Sequence, residues 1–320
     1  MSGRKSLVLI LAAGLSQVSA ADRKAVISPG SSGASFASPI IGYFWSPTDG
    51  LAAIEGVPGA AHIGPSRQMS FAPVRVVLPP GQAYVWMEDT KAVQSPGVRN
   101  PELMGSDLIS FSPNAASAVL YFRSAGVIRI ATGLPDSPAL AATFALPQPG
   151  CAPSALGIAD DGTTVMLACA GNLYSAAADR IWHPAMPGQV AALAFLPGST
   201  DALVVMNGGS SVYGVNSGLR GQLPQGMNAP MSLAVSADGR YAVASDGAGN
   251  AASLDLASWQ STLLKVAQGM NTVTRGRDAS TFLLLPDDGG VPWIIDVQPG
   301  GATASFAPRI PRSGAVVGHF

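Results

Sequence analysis

The chain has 320 residues, only 12% of them charged, and 18 basic side chains against 19 acidic ones leave a net charge of −1. Those charges are scattered without a basic run, so no stripe exists to neutralise phosphates and nucleic-acid binding is not expected. With 48% hydrophobic residues and a mean hydropathy of +0.30 the chain is not of the disordered class, yet no stretch approaches the ~18 consecutive apolar residues that span a bilayer.

The N-terminus reads as a secretory signal. Arg4 and Lys5 precede an apolar run from Leu7 to Leu15, and Val18 and Ala20 are small residues at the positions a signal peptidase recognises. Cleavage is expected between Ala20 and Ala21, giving a signal peptide over 1–20 and a periplasmic or secreted product. No cysteine follows the apolar run, so a lipid anchor is not expected. From 21 to 39 the chain is rich in Ser, Gly, Ala and Pro without periodicity, as a flexible leader would be.

The rest, 40–320, reads as one all-β domain built from repeats. Tyr43–Trp45 and Leu51–Ile54 form a first strand pair around Ser46-Pro-Thr-Asp-Gly50. Thereafter one pattern recurs, an apolar strand, a turn and a second apolar strand. Leu78-Pro-Pro-Gly81 leads into Ala83–Met87, Phe111-Ser-Pro-Asn114 into Ala118–Phe122, and Ile158-Ala-Asp-Asp-Gly162 into Val165–Cys169. Phe195-Leu-Pro-Gly198 leads into Ala202–Met206, and Arg277-Asp-Ala279 into Ser280–Leu285. The clearest unit is Met231 to Ser245, where Asp238-Gly239 supplies the positive φ of a tight hairpin, followed by strand candidates Asn250–Leu256 and Ser261–Val266. The turns recur about every 40 residues, and Gln225-Gly-Met-Asn228 returns as Gln268-Gly-Met-Asn271, 43 positions later.

Four short strands per repeat of this length predict a β-propeller, because one small sheet cannot bury both faces alone and must stack on its neighbours around an axis. A β-sandwich is the competing all-β arrangement, but it predicts no such echo. Six full hairpins plus the N-terminal pair give six or seven four-stranded blades. Seven would follow if Gly314–Phe320 joined the N-terminal pair to close the ring, and six if that pair, which looks like the outer half of a blade, were added to the last one.

The segment Ser236-Ala-Asp-Gly-Arg-Tyr-Ala-Val-Ala-Ser245 resembles the repeats of exported bacterial propellers of the TolB, YVTN and lactonase-like group. The resemblance spans about Val74 to Val297 and implies the fold. That group includes protein-binding modules, surface proteins and hydrolases, and none of its functional residues maps onto a position here.

Candidate chemistry is sparse. Asp160-Asp-Gly162, Asp238-Gly239 and Asp287-Asp-Gly-Gly290 lack the D-x-D-x-D-G spacing of a calcium loop and suit turns better. Asp255 and Asp296, 41 residues apart near the ends of third strands, are candidates either to line a central channel as acids or to cap the next turn. His62, His183 and His319 have no neighbouring ligand at metal spacing. No G-x-S-x-G elbow, P-loop or strand-linked G-x-G-x-x-G is present. Trp45, Trp86, Trp182, Trp259 and Trp293 could stack on sugars or pack between sheets. No catalytic, metal or cofactor residue is therefore assigned. The function expected is an exported non-enzymatic scaffold for a protein or other macromolecule. A hydrolase or isomerase with an active site in the central channel and a carbohydrate-binding propeller are the alternatives.

Cys151 and Cys169 are the only cysteines, and an even count in an exported chain predicts a disulfide. If the hairpin turns at Asp160-Asp161, Cys169 faces Ala152 or, with a slip of one, Cys151 across the ladder. The prolines and glycine at Pro149, Gly150 and Pro153 are able to draw Cys151 out of it.

Overall fold

The computed structural model describes residues 38–67, 73–88, 93–95, 98–287 and 289–309. The predicted signal peptide with Ala20 and Ala21, nearly all of the predicted leader, Gly314–Phe320 and His319 lie outside the described residues. Among the described residues there are seven antiparallel sheets, six of four strands and one of three.

The first sheet holds β1 (Ile40–Ser46), β2 (Gly50–Glu55) and β3 (His62–Arg67); the second, β4 (Arg75–Val77), β5 (Trp86–Glu88), β6 (Val93–Ser95) and β7 (Val98–Asn100). The third comprises β8 (Leu108–Phe111), β9 (Ser117–Phe122), β10 (Val127–Thr132) and β11 (Ala139–Ala145). The fourth comprises β12 (Ala155–Ile158), β13 (Val165–Cys169), β14 (Asn172–Ala176) and β15 (His183–Pro187). In the fifth lie β16 (Val190–Phe195), β17 (Ala202–Met206), β18 (Ser211–Gly214) and β19 (Arg220–Gln222), and in the sixth β20 (Ser232–Val235), β21 (Tyr241–Ser245), β22 (Asn250–Asp255) and β23 (Gln260–Lys265). The seventh is β24 (Met270–Arg275), β25 (Thr281–Pro286), β26 (Trp293–Gln298) and β27 (Gly301–Phe306). Each sheet is a simple meander, and the first strands β8, β12, β16, β20 and β24 touch one another in succession around an axis.

This stacking explains the burial pattern. Second strands are covered on both faces, so β9 (Ser-Ala-Val-Leu-Tyr-Phe), β13 and β21 are buried at every position and read as unbroken apolar runs. Outermost strands meet a neighbour on at most one side, and β11 alternates between exposed and partly covered residues along its length. Among the described residues, six interfaces between sheets hold small cores of their own, all but that of the first sheet with the second. Trp86, fully buried, stands edge-on to Phe111 at 5.6 Å between the second and third sheets, and its indole N–H donates to Glu88 Oε1 at 3.2 Å.

The connection at Asp238-Gly239 is longer than the tight hairpin turn expected there. In five sheets the turn is a four-residue loop framed by one hydrogen bond. The N–H groups of Ser112, Ala159, Leu196, Ser236 and Gly276 donate to the carbonyls of Ser117, Thr164, Asp201, Tyr241 and Thr281, all at 2.7–3.0 Å. In the turn between β20 and β21 only Gly239 has positive φ, +70°, while Asp238 works through its side chain, accepting from Ser236 Oγ at 2.6 Å and from the Arg240 N–H at 3.0 Å. After β4 the chain forms a single 3-10 turn at Pro80–Gln82, which delays the second strand to Trp86 instead of Ala83.

The N-terminal strand pair does not extend the last sheet. With β3 it forms its own sheet, which packs Ile41, Phe44, Ala52, Ile54 and Ile63 against Leu283 and Ile294 of the seventh. On its other side β1 touches the 3-10 turn of the second sheet, where the Tyr43 N–H donates to Gln82 Oε1. The chain returns to this sheet after β27: the Ile63 N–H donates to Pro308 O at 2.9 Å, Arg309 bridges Ile63 in parallel, and its guanidinium pairs with Asp49.

Candidate binding channel and turn rim

Strands β4, β8, β12, β16, β20 and β24 line a central cavity of about 210 Å³. The three-stranded first sheet contributes no wall residue; Leu78 and Pro80, which lead into and begin the 3-10 turn, occupy the wall beside β4. Most of the bore is apolar, with Ile109, Phe111, Leu193, Leu233 and Val273 on it and Ser110, Thr272 and Thr274 as hydroxyls. Its narrowness has a sequence cause at Gly157, where a Cβ would collide with the Leu193 side chain and lie 3.2 Å from the Phe195 ring.

Arg275, the last residue of β24, is the single charged residue on the wall among the described residues. It is half-buried, and its Nη2 donates to Pro113 O of the third sheet's turn at 2.8 Å. Burial holds the guanidinium below its ordinary pKa, and the charge of Asp160 opposes that shift. Gly81, with φ of +74°, gives the side chain room, since a Cβ there would sit 3.1 Å from Nη2.

Around this mouth the turns are tied to one another. Asp160 accepts the Asn114 N–H of the third sheet and the Gly198 N–H of the fifth, both at 2.7 Å, from its place in the fourth. The Ala237 N–H donates to Ala279 O at 3.2 Å, joining the sixth and seventh turns, and the Arg277 N–H donates to Ile41 O at 2.8 Å, joining the seventh to the first sheet. The result is a hydrogen-bonded rim of turns.

The other residues singled out from sequence are dispersed. Asp255 does not reach the channel: its Oδ1 accepts the Ala257 and Ser258 N–H groups at 2.9 and 3.2 Å, and Oδ2 lies 3.6 Å from Arg240. Asp296, on β26, accepts from Gln298 Nε2 at 2.7 Å. Asp161 accepts the N–H groups of Thr163 and Thr164, both at 2.8 Å, and the Thr164 hydroxyl at 2.6 Å. Asp287 accepts from Asn271 Nδ2 at 2.6 Å. His62 lies 3.7 Å from Glu55 and His183 3.6 Å from Asp179, on different sheets. No group of three His, Cys, Asp or Glu side chains suited to a metal occurs among the described residues. Trp182 tilts against Phe144 at 5.2 Å, Trp293 against Phe306 at 5.9 Å, and Trp259 lies over Gly221, so these three pack on neighbouring strands.

Cys151 and Cys169 are joined in a disulfide with Cα atoms 6.0 Å apart. The register expected for this hairpin is corrected by two residues. Ala155 pairs with Ala168 and Ile158 with Val165, because the loop Asp160–Thr163 runs through Gly162 at φ of +69° and centres one residue later than Asp160-Asp161. The bridge therefore runs from the end of β13 to the segment ahead of β12, outside the ladder.

No family profile matches this sequence, and no curated protein does. Among solved structures, the chain is similar to the WD40 repeats of RRP9, at 12% identity over 76% of this chain and 83% of that one, with a TM-score of 0.55. Lower-scoring likenesses, both with a TM-score of 0.49, are to virginiamycin B lyase from Staphylococcus aureus and to a functionally unknown protein from Desulfotomaculum acetoxidans DSM 771. The first is 11% identical over 73% of this chain and 83% of that one. The second is 15% identical over 72% and 78%. The fold is thus a β-propeller; identities this low speak to fold alone.

Proposed function

We propose that this protein is an exported, non-enzymatic propeller that binds a protein or another macromolecule through the rim of turns around the Arg275 mouth. The observation that carries this reading is the set of turn-to-turn hydrogen bonds, Asp160 to Asn114 and Gly198, Ala237 to Ala279 and Arg277 to Ile41. A rim tied in this way reduces the cost of ordering the turn backbone on binding, which favours recognition. Export is supported by Arg4, Lys5 and the apolar run to Leu15, and by the Cys151–Cys169 disulfide, a bond that persists in oxidising compartments.

The test is affinity capture from the envelope fraction of the source cells with four baits besides wild type. Ala237→Glu and Arg277→Glu alter exposed rim positions, whereas Thr143→Glu and Gln260→Glu alter exposed positions on outermost strands. One partner should be retained by wild type and both outer-strand variants and lost from both rim variants. Retention by all five, or loss from the outer-strand variants alone, would reject the rim as the binding surface. For export, material recovered outside the cytoplasm should begin Ala21-Asp22-Arg23, and an intact Met1 there would refute the signal peptide.

A further inference from the structure

The channel and the Arg275 charge on its wall suggest a second, smaller ligand. Arg275 carries five N–H donors, of which the structure uses Nη2 toward Pro113 O. No carboxylate lies within ion-pair distance of it among the described residues. Asp160, whose charge it feels, has both oxygens occupied by the Asn114 and Gly198 N–H groups. A half-buried cation whose nearest acid is otherwise engaged, at the end of an apolar bore, is complementary to a ligand with one anionic head and a hydrocarbon tail.

We propose that the central channel binds an aliphatic monocarboxylate, its carboxylate on the Arg275 guanidinium at the mouth and its chain along the bore past Ile109, Leu193 and Val273. The cavity sets the size: about 210 Å³ holds about seven groups at roughly 30 Å³ each, the volume of a water molecule, so a chain of roughly six to eight carbons fits. The charge sets the head group. One guanidinium faces the site and the Asp160 carboxylate stands nearby, which favours a monoanion over a phosphate dianion. Gly81 belongs to the same site, because a side chain there would press on Nη2. This inference is independent of partner binding at the rim, since a ligand inside the bore requires no macromolecule outside it.

The experiment is isothermal titration of the mature protein with butyrate, hexanoate and octanoate, and with hexan-1-ol, hexylamine and hexyl phosphate as comparators. Affinity should rise roughly fourfold per methylene from butyrate to hexanoate, the gain expected from burying each group. Hexan-1-ol, hexylamine and hexyl phosphate should each bind at least about tenfold more weakly than hexanoate, the minimum difference expected when a charge-assisted pair is missing or mismatched. Arg275→Gln should weaken hexanoate by about the same factor while Arg275→Lys restores part of it. Ser110→Leu, which adds bulk to the channel wall on β8, keeps the test decisive if Arg275→Gln does not fold; it should abolish the dependence on chain length. No binding of any carboxylate, equal binding of hexan-1-ol and hexanoate, tighter binding of hexyl phosphate, or unchanged hexanoate affinity in a folded Arg275→Gln protein would each overturn the proposal. None of these results bears on capture at the rim.

Discussion

Asp160 ties three sheets together, so its removal tests whether the rim is held by side chains or merely decorated by them. In Asp160→Ala two charge-assisted hydrogen bonds disappear, those from the Asn114 and Gly198 N–H groups at 2.7 Å. Hydrogen bonds to charged groups are worth about 1.5–3 kcal/mol. Both donors sit in exposed turns where water can replace the carboxylate, which brings each loss to about 1 kcal/mol and the total to about 2 kcal/mol. That is roughly a thirtyfold shift in the unfolding equilibrium and, for a domain of this size, a fall in Tm of about 3–4 °C. Asp160→Asn keeps one acceptor oxygen and loses the charge, so it should cost about half as much. Urea unfolding monitored by tryptophan fluorescence, with Tm by calorimetry, measures both variants, and m should stay at the wild-type value because the surface exposed on unfolding is unchanged. An Asp160→Ala protein within about 0.5 kcal/mol of wild type, the spread of ordinary surface substitutions, would refute the rim as an energetic unit.

Three further predictions follow from single features. The Cys151–Cys169 bridge closes a loop with a sequence separation of 18, so reduction or the double Ser variant should cost about 3 kcal/mol; alkylation of both thiols in the non-reduced, denatured protein would disprove the bond. Gly157→Ala places a methyl group against Leu193 and Phe195 and should destabilise by about 1–3 kcal/mol in thermal unfolding, whereas a neutral result would mean that the bore can widen freely. Burial acts to raise the carboxyl pKa of Asp161, Asp238 and Asp246, but hydrogen bonds outweigh it and hold all three below the ordinary value. Their stabilisation is therefore complete above the unfolded value near pH 4 and is lost as pH falls through the lower folded values, so urea midpoints should drop as pH falls below about 4, and less steeply in Asp246→Asn.

Much of this architecture was legible because the stacking of small sheets imposes two signals at once. Second strands buried on both faces must be continuous apolar runs, and Val165–Cys169 and Ala202–Met206 coincide with β13 and β17 end to end. Turns must reverse the chain in few residues, which selects Asp, Gly, Pro and Asn at a regular interval. The details decided by contacts between sheets were not legible. No local pattern announces that Pro80–Gln82 forms a 3-10 turn beside β24, or that β1, β2 and β3 make a separate sheet rather than the edge of the seventh. The register of the Cys169 hairpin was missed for a physical reason: Asp160-Asp161 is compatible with a two-residue turn and with the first half of a four-residue one, and only the opposing strand fixes which. The role of Arg275 was hidden too, because its partner Pro113 lies 162 residues away.

The acids show why composition alone misleads about chemistry. Asp201, nearly buried, accepts the N–H groups of Ala202, Asn216 and Ser217, and Asp246 accepts those of Asn228, Ala248 and Asn250 together with the Asn250 side-chain amide. A carboxylate whose oxygens already accept several backbone N–H groups has few lone pairs left to meet a substrate or a metal. Asp160, Asp161, Asp238 and Asp255 are engaged in the same way. Short meanders need such caps because each tight reversal leaves backbone N–H groups without a ladder partner. These aspartates are thereby committed to the turns and connecting loops, and among the described residues the wall of the channel is left with a lone cation. The charge that can still meet a ligand there is the guanidinium of Arg275, which is why its substitution, rather than that of any of these aspartates, is the informative change inside the bore.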